Sequence, residues 1–182
     1  MQLHNRICCF HVLAGKGFYL LICIRIANEG CKSLGIEKPK IGVAGLNPHC
    51  GEHGMFGREE MEEIQPAIDV ALEEGICIPE KAPTPPDTLF SKALVGWYDI
   101  VVAMYHDQGH IPLKVKGFVY NQKLKKWDAV SGVNVTLGLP IIRTSVDHGT
   151  GEDIAGTGEA NELSLLNALE YAITTAKAKN KG

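Results

Sequence analysis

The sequence predicts an α/β fold with parallel, buried strands, and three observations lead to it. Two short runs, IGVAGL at residues 41–46 and DIVVAMY at residues 99–105, are almost wholly apolar and rich in β-branched side chains, as strands covered on both faces are. Helical stretches lie before, between and after them, which the crossovers of a parallel sheet require. Both runs empty into segments dense in glycine, histidine and carboxylate, and the carboxyl ends of strands in open α/β sheets are where ligands sit.

Composition narrows the class. A chain of 182 residues is one domain or part of a larger one, and 45% hydrophobic content is ample for a core. The net charge of -3, with no basic block longer than KLKK, argues against nucleic acid as the main partner. Six cysteines (Cys8, Cys9, Cys23, Cys31, Cys50, Cys77) show no CxxC spacing and read as reduced thiols of a cytoplasmic protein. FYLLICI, residues 18–24, is too short to cross a bilayer and runs into Arg25. No small-residue cleavage site follows it, as a signal peptide would need.

Residues 1–16 have no clear period, and residues 17–33 read as a helix feeding the strand at 41–46. After that strand comes NPHCGEHGMFG, with glycines at 51, 54 and 57, His49, His53, and Pro48 stiffening the entry. REEMEEIQPAIDVALEEG follows as helix. Pro66 divides it into a short first piece and a second that opens at the proline and stops at Gly75. The acids Glu59, Glu60, Glu62 and Glu63 read as a solvated face that complements the helix dipole. ICIPE is expected as a short strand and KAPTPP as an extended linker, with Asp87 capping the helix TLFSKAL.

The strand at 99–105 ends in His106, Asp107, Gln108 and Gly109, with Lys114 shortly after. An imidazole, a carboxylate and an ammonium in so short a span suit a metal or an anionic substrate; a polar loop with a surface lysine is the plainer reading. VYNQKLKKWDAV reads as a hairpin with its tip at 121–126, and GVNVTL and PIIRTSV read as strands. Asn134 and Arg143 can face one anion, for which the guanidinium fork is suited. DHGTGEDIAGTGEAN carries glycines at 149, 151, 156 and 158. It can wrap a nucleotide, but it lacks the strand–turn–helix context of a GxGxxG fingerprint. A last helix, ELSLLNALEYAITTAKAK, spaces Leu163, Leu166, Leu169 and Ile173 for one buried face.

Four blocks, GLNPHCGEHGMFGREE, PPDTLF, AMYHDQGHIPLK and SGVNVTLGLPIIRTSVDHGTGEDIAGTGEAN, closely resemble the C-terminal part of the 4-hydroxythreonine-4-phosphate dehydrogenase family, which serves pyridoxal phosphate biosynthesis. The resemblance runs from about Leu34 to the last helix, so residues 1–33 form an atypical N-terminal segment and 34–182 the catalytic and NAD-binding part. The insertion NQKLKKWDAVSG looks more like the branch acting on D-threonate and D-erythronate 4-phosphates. HGTGEDIAGTGEAN is similar to the cofactor loop of isocitrate and isopropylmalate dehydrogenases, and the resemblance implies their three-layer α/β/α architecture.

The resemblance further implies an NAD-dependent oxidation of a secondary alcohol, assisted by a divalent metal (zinc, manganese, cobalt or magnesium) and followed by decarboxylation, in a homodimer. His49 and His106 stand at two of three metal-histidine positions, and Asp87 and Asp107 line the same site in catalytic positions. Lys114, Asn134 and Arg143 stand at phosphosubstrate positions, and His148, Gly149, Thr150, Asp153, Ile154 and Asn161 at cofactor positions. Family members are nearly twice as long, with the third histidine in their first half, and MQLHNRICCFHVLAGK matches nothing in their pattern. A truncated or frameshifted product, a separately encoded half, or a non-catalytic remnant is the expectation. A metal-dependent hydrolase built on His49 and His106 is the remaining alternative, and no general base supports it.

Overall fold

The computed structural model describes residues 7–9, 17–117, 120–123, 125–127, 132–147 and 149–179. The chain divides into two compact units, Met1–Leu113 and Lys114–Gly182.

The first unit is built on a three-stranded parallel sheet in the order β1 (Ile7–Cys9), β3 (Ile100–Ala103), β2 (Ile41–Val43). Helix α1 (Gly17–Lys32) fills the stretch expected at 17–33. Its Leu20, Cys23, Ile24, Ala27 and Cys31 form one buried stripe at helical spacing. That stripe packs with Ile68 and Ala71 of α2 (Gln65–Glu73) against Ile41, Val43 and Val102. The opposite sheet face, bearing Val101 and Ala103, packs against Leu89 and Phe90 of α3 (Pro86–Leu94) and against Tyr98. The two-residue alternation of a strand therefore gives each face its own cluster.

Four local expectations need correction. β1 pairs with β3 in register Ile7↔Val101 to Cys9↔Ala103, although residues 1–16 show no period; a backbone ladder needs no side-chain pattern. ICIPE shrinks to a single bridge between Cys77 and Lys40, because Pro79 has no N–H to offer a ladder. Asp87 does not cap α3: Pro85 holds the N-cap position without a side-chain bond. The aspartate lies one residue inside the helix start, accepting from Thr88 N at 2.6 Å. The acidic run is not one solvated face. Glu60 is only 3% exposed, and the Glu63 carboxylate accepts from Gly17 N. The expectation at Pro66 holds in part: the helix changes type just before it, from one π turn at Glu60–Ile64 to α2, but Ile64 and Gln65 keep right-handed helical angles, so the backbone does not break there. The polar segment after β3 is helix at once, α4 (His106–Gly117), with Pro112 inside it.

In the second unit β4 (Tyr120–Asn121) and β5 (Lys126–Trp127) form the expected hairpin. β6 (Val133–Thr136) and β7 (Arg143–Val146) form an antiparallel ribbon with Asn134 opposite Ser145 and Thr136 opposite Arg143. Helix α5 (Leu163–Lys179) lies on that ribbon, where Thr144 Oγ1 donates to Ala168 O at 3.0 Å. The face that packs is the small-residue one: Ser164, Ala168 and Thr175 are buried. Leu163, Leu166, Leu169 and Ile173, expected inside, are 37–53% exposed. Apolar periodicity marks a face that wants cover; the contact with the ribbon is made instead at Ala168, whose carbonyl accepts from Thr144. Among the described residues no helix is long and apolar enough to cross a membrane.

Gly42 shows how tightly the β2–α3 contact is made, since a Cβ there would stand 2.8 Å from Leu89 Cδ1 and 3.1 Å from Tyr98. Gly42→Ala is expected to destabilise by about 1–3 kcal/mol through overpacking. Leu89→Ala should cost about 2–5 kcal/mol. Because the second change empties the space the first one needs, denaturant titrations of the double variant should give a loss well below the sum. Full additivity would show that the two side chains do not share that space.

Candidate active site

The segment after β2 is shaped by backbone bonds that buried and half-buried side chains complete. Glu60 Oε1 accepts from Leu46 N at 2.9 Å and Asn47 N at 3.2 Å. Asn47 Oδ1 accepts from His49 N at 2.9 Å and Gly51 N at 3.1 Å, and its Nδ2 donates to Phe56 O. Held between these bonds, Cys50, Gly51, Glu52 and His53 all take left-handed backbone angles, with φ of 49, 77, 39 and 57°. Three of them are not glycine, and such strain persists only where the surroundings fix it. At Gly51 a Cβ would also meet the buried Glu60 Oε2 at 2.9 Å. Glu60 and Asn47 were missed from sequence. An asparagine two and four residues ahead of the amides it bonds is a readable turn signal; a glutamate folding back across 13–14 positions is not.

His49 stacks on Phe56 with ring centroids 5.2 Å apart, and its Nδ1 lies 3.0 Å from Glu52 Oε1. His106, at the start of α4, has Nδ1 at 2.8 Å from Asp107 Oδ1 and stacks on His110 with centroids 4.1 Å apart. Both imidazoles are more than half exposed. In the neutral imidazole, a carboxylate at Nδ1 favours the tautomer that carries its proton there, which leaves the Nε2 lone pair for a ligand. That is the arrangement of metal-ligating histidines, whose second nitrogen is bonded to a carboxylate. In donor chemistry the two histidines therefore fit a divalent metal. Among the described residues no three His, Cys, Asp or Glu side chains gather as a metal-holding group.

Asp87 lies near the same loop. The Cys50 thiol is pushed above its usual range by burial first, then by the charges of Glu60 and Asp87, which places both carboxylates within electrostatic reach of the residue next to His49. Asp87 also edges a shallow depression with Ser91, Lys92 and Trp97, and Lys92 Nζ lies 5.0 Å over the Trp97 ring.

In the second unit, strand register puts Asn134 and Arg143 on one face of the β6–β7 ribbon, both exposed. Arg143 donates to Thr136 Oγ1 at 2.7 Å. Lys114 Nζ is held at the other end of β7, at 2.8 Å from Asp147 Oδ1 and 3.0 Å from Asp147 O. Ser164, 2% exposed, fixes that end by donating to Gly132 O at 2.6 Å and accepting from Asp147 N at 3.1 Å. Of the residues expected around the cofactor, His148 lies outside the described residues and so does the Asp153 side chain. Gly149 and Thr150 are exposed, and Ile154 ends a short 3-10 turn, Glu152–Ile154. A Cβ at Gly156 or Gly158 would meet nothing within 4 Å, so a ligand can come close to the backbone there. The Asn161 side chain accepts from Leu163 N at 3.0 Å, at the start of α5.

Comparison with known proteins follows the same segments. The family model described as pyridoxal phosphate biosynthetic protein PdxA matches residues 19–172. The 4-hydroxythreonine-4-phosphate dehydrogenase of Beijerinckia indica is 54% identical over 149 residues, 82% of this chain and 40% of that protein. The D-threonate 4-phosphate dehydrogenase of Salmonella typhimurium is 50% identical over 153 residues, 84% of this chain and 43% of that protein. A crystal structure of 4-hydroxythreonine-4-phosphate dehydrogenase from Klebsiella pneumoniae superposes with a TM-score of 0.70 at 44% identity, covering 88% of this chain and 45% of that one. The chain thus spans less than half the length of the curated relatives it matches.

The environment of Cys50 predicts slow alkylation. Its thiolate should appear above the usual thiol range, so the midpoint of the iodoacetamide rate at Cys50 against pH, followed by mass spectrometry, should lie above that of a free cysteine peptide measured beside it. Asp87→Asn removes one of the three causes and should move the midpoint down. A plateau at the ordinary thiol pH, unmoved by Asp87→Asn, would show that neither burial nor these charges reach the sulfur.

Proposed function

Because the chain belongs to the pyridoxal phosphate biosynthetic protein PdxA family, we propose that it serves the NAD-dependent, divalent-metal-assisted oxidation, with decarboxylation, of a phosphorylated hydroxy acid such as 4-phosphohydroxy-L-threonine. D-threonate or D-erythronate 4-phosphate is the alternative substrate, and relatives bearing the D-threonate name at 50% identity favour keeping it. The observation that carries the reading is the pair of histidines, each bonded to a carboxylate, that follow neighbouring parallel strands.

His49 and His106 are the proposed metal ligands, with the remaining positions left to an aspartate or water. When bound, the metal supplies Lewis-acid polarisation of the alcohol oxygen, and NAD accepts the hydride. Glu52 and Asp107 orient the two imidazoles, and Asp107 and Asp87 are the proposed catalytic carboxylates. Lys114, Asn134 and Arg143 take the phosphate, with Asp147 holding the lysine ammonium in place until then. The loop with His148, Gly149, Thr150, Asp153, Ile154 and Asn161 is proposed for NAD, and residues 34–182 for the catalytic part of a three-layer α/β/α architecture. The exposed side chains Leu165, Leu166, Leu169 and Ile173 on α5 support a homodimer, since a patch of that kind marks an interaction surface. Free thiols at Cys23, Cys31, Cys50 and Cys77 support a cytoplasmic location.

Titration with Zn²⁺ or Co²⁺ tests the metal reading. His49→Ala and His106→Ala should each weaken binding, because each removes a ligand; unchanged affinity in both would sink it. For the phosphate, calorimetry with D-threonate 4-phosphate and 4-phosphohydroxythreonine should show lost affinity in the double variant Lys114→Ala/Arg143→Ala. Arg143→Lys should be impaired as well, since it keeps charge but loses the fork. NADH formation by these 182 residues alone should stay near background, because holding hydride donor and acceptor in line is worth on the order of 7–11 kcal/mol and more than half of each relative's length has no counterpart here. Undiminished affinity in the double variant would remove Lys114 and Arg143 from the site.

A further inference from the structure

The geometry points to Gln108 as the positioning residue that sets the spacing between the His49 and His106 segments. Its side chain is buried, 7% exposed, and both ends of the carboxamide are used. Oε1 accepts from Met104 N at 2.7 Å, and Nε2 donates to Gly45 O at 2.8 Å. Met104 is two residues ahead of His106, and Gly45 is four ahead of His49.

The β2–β3 ladder runs from Ile41↔Ile100 to Val43↔Val102, and Ala44 N still donates to Val102 O at 3.0 Å. Beyond that bond the carboxamide takes the place of the next rung. It is the side-chain equivalent of a peptide group, with one face accepting and one donating, so it joins two strands that are moving apart without leaving a buried N–H or C=O open. The chain beyond Gly45 has little freedom of its own. Gly45 N donates to Thr84 O at 2.9 Å, and a Cβ on Gly45 would stand 2.6 Å from Cys50 Sγ. Anchoring Gly45 therefore anchors the loop, and anchoring Met104 fixes the first turn of α4, where His106 sits.

The inference rests on the proposed role of His49 and His106 as metal ligands, and it deepens that role. Gln108 touches no metal; it acts through the backbone that carries the ligands. Gln108→Met keeps the length and loses both bonds. Gln108→Glu keeps an acceptor for Met104 N but turns an acceptor toward Gly45 O, so the link between strands is lost while the helix start is retained.

Co²⁺ is the probe, read by affinity and by its visible d–d absorption, with far-UV circular dichroism reporting the fold. Both Gln108 variants should bind Co²⁺ about ten- to a hundred-fold more weakly, the usual range for groups that orient ligands. They should also show a shifted or weakened d–d band. Ile68→Ala, in the core on α2, is the stability control: it lowers the melting temperature and should leave affinity and band unchanged. If Gln108→Met does not fold, Gln108→Glu carries the test. Parent-like affinity and spectrum in a folded Gln108 variant would overturn the inference while the metal reading stands. Co²⁺ binding that is absent in the parent, or indifferent to both His49→Ala and His106→Ala, would overturn the metal reading and this inference with it.

Discussion

Where β2 and β3 stop pairing, their last backbone groups are closed by side chains: Gln108 bonds Met104 N and Gly45 O, and Glu60 bonds Leu46 N and Asn47 N. Burial without these bonds would leave amides and a carbonyl unpaired, at about 1–3 kcal/mol for each. The rest of the site follows from how that demand is met. Glu60 lies in the π turn Glu60–Ile64, which joins α2 directly, so the helix that covers one sheet face also clamps the loop at the sheet's end. Gln108 ties the start of α4 to the neighbouring strand in the same way.

The left-handed run from Cys50 to His53 is the conformational cost of this arrangement. It turns the chain back sharply enough that His49 stacks on Phe56 and meets Glu52. Asn47 supplies the bonds that hold it there. At the second strand the same result is reached by other means: a helix begins at once, and Asp107, next in sequence, bonds the imidazole of His106. Two different local structures thus present a histidine with its Nδ1 against a carboxylate.

The second unit is organised by a small serine rather than by a large apolar residue. Ser164 closes Gly132 O and Asp147 N at the ribbon end, and Gly132 is the residue that leaves room for Asp147, since a Cβ there would lie 2.7 Å from Asp147 Oδ2. Asp147 in turn holds Lys114. The apolar stripe of α5 is left facing outward.

The sequence by itself determined that the apolar runs at 41–46 and 99–105 hold the buried strands β2 and β3, that residues 120–127 form a hairpin, that β6 and β7 are strands, and the family, because each rests on local pattern: β-branched runs, turn residues or a contiguous motif. It marked Asn134 and Arg143 as candidates to face one anion, while the β6–β7 register of the folded chain set both on one face. The tertiary structure alone decided the role of Glu60, whose charge reads as solvated until the open amides of residues 46 and 47 fold beneath it. It alone decided that Gln108 is a ladder rung, since its partner Gly45 is 63 positions away. It reversed the expected face of α5, because periodicity reports which side chains are apolar, while the bonds from Ser164 and to Ala168 O decide which face meets the ribbon.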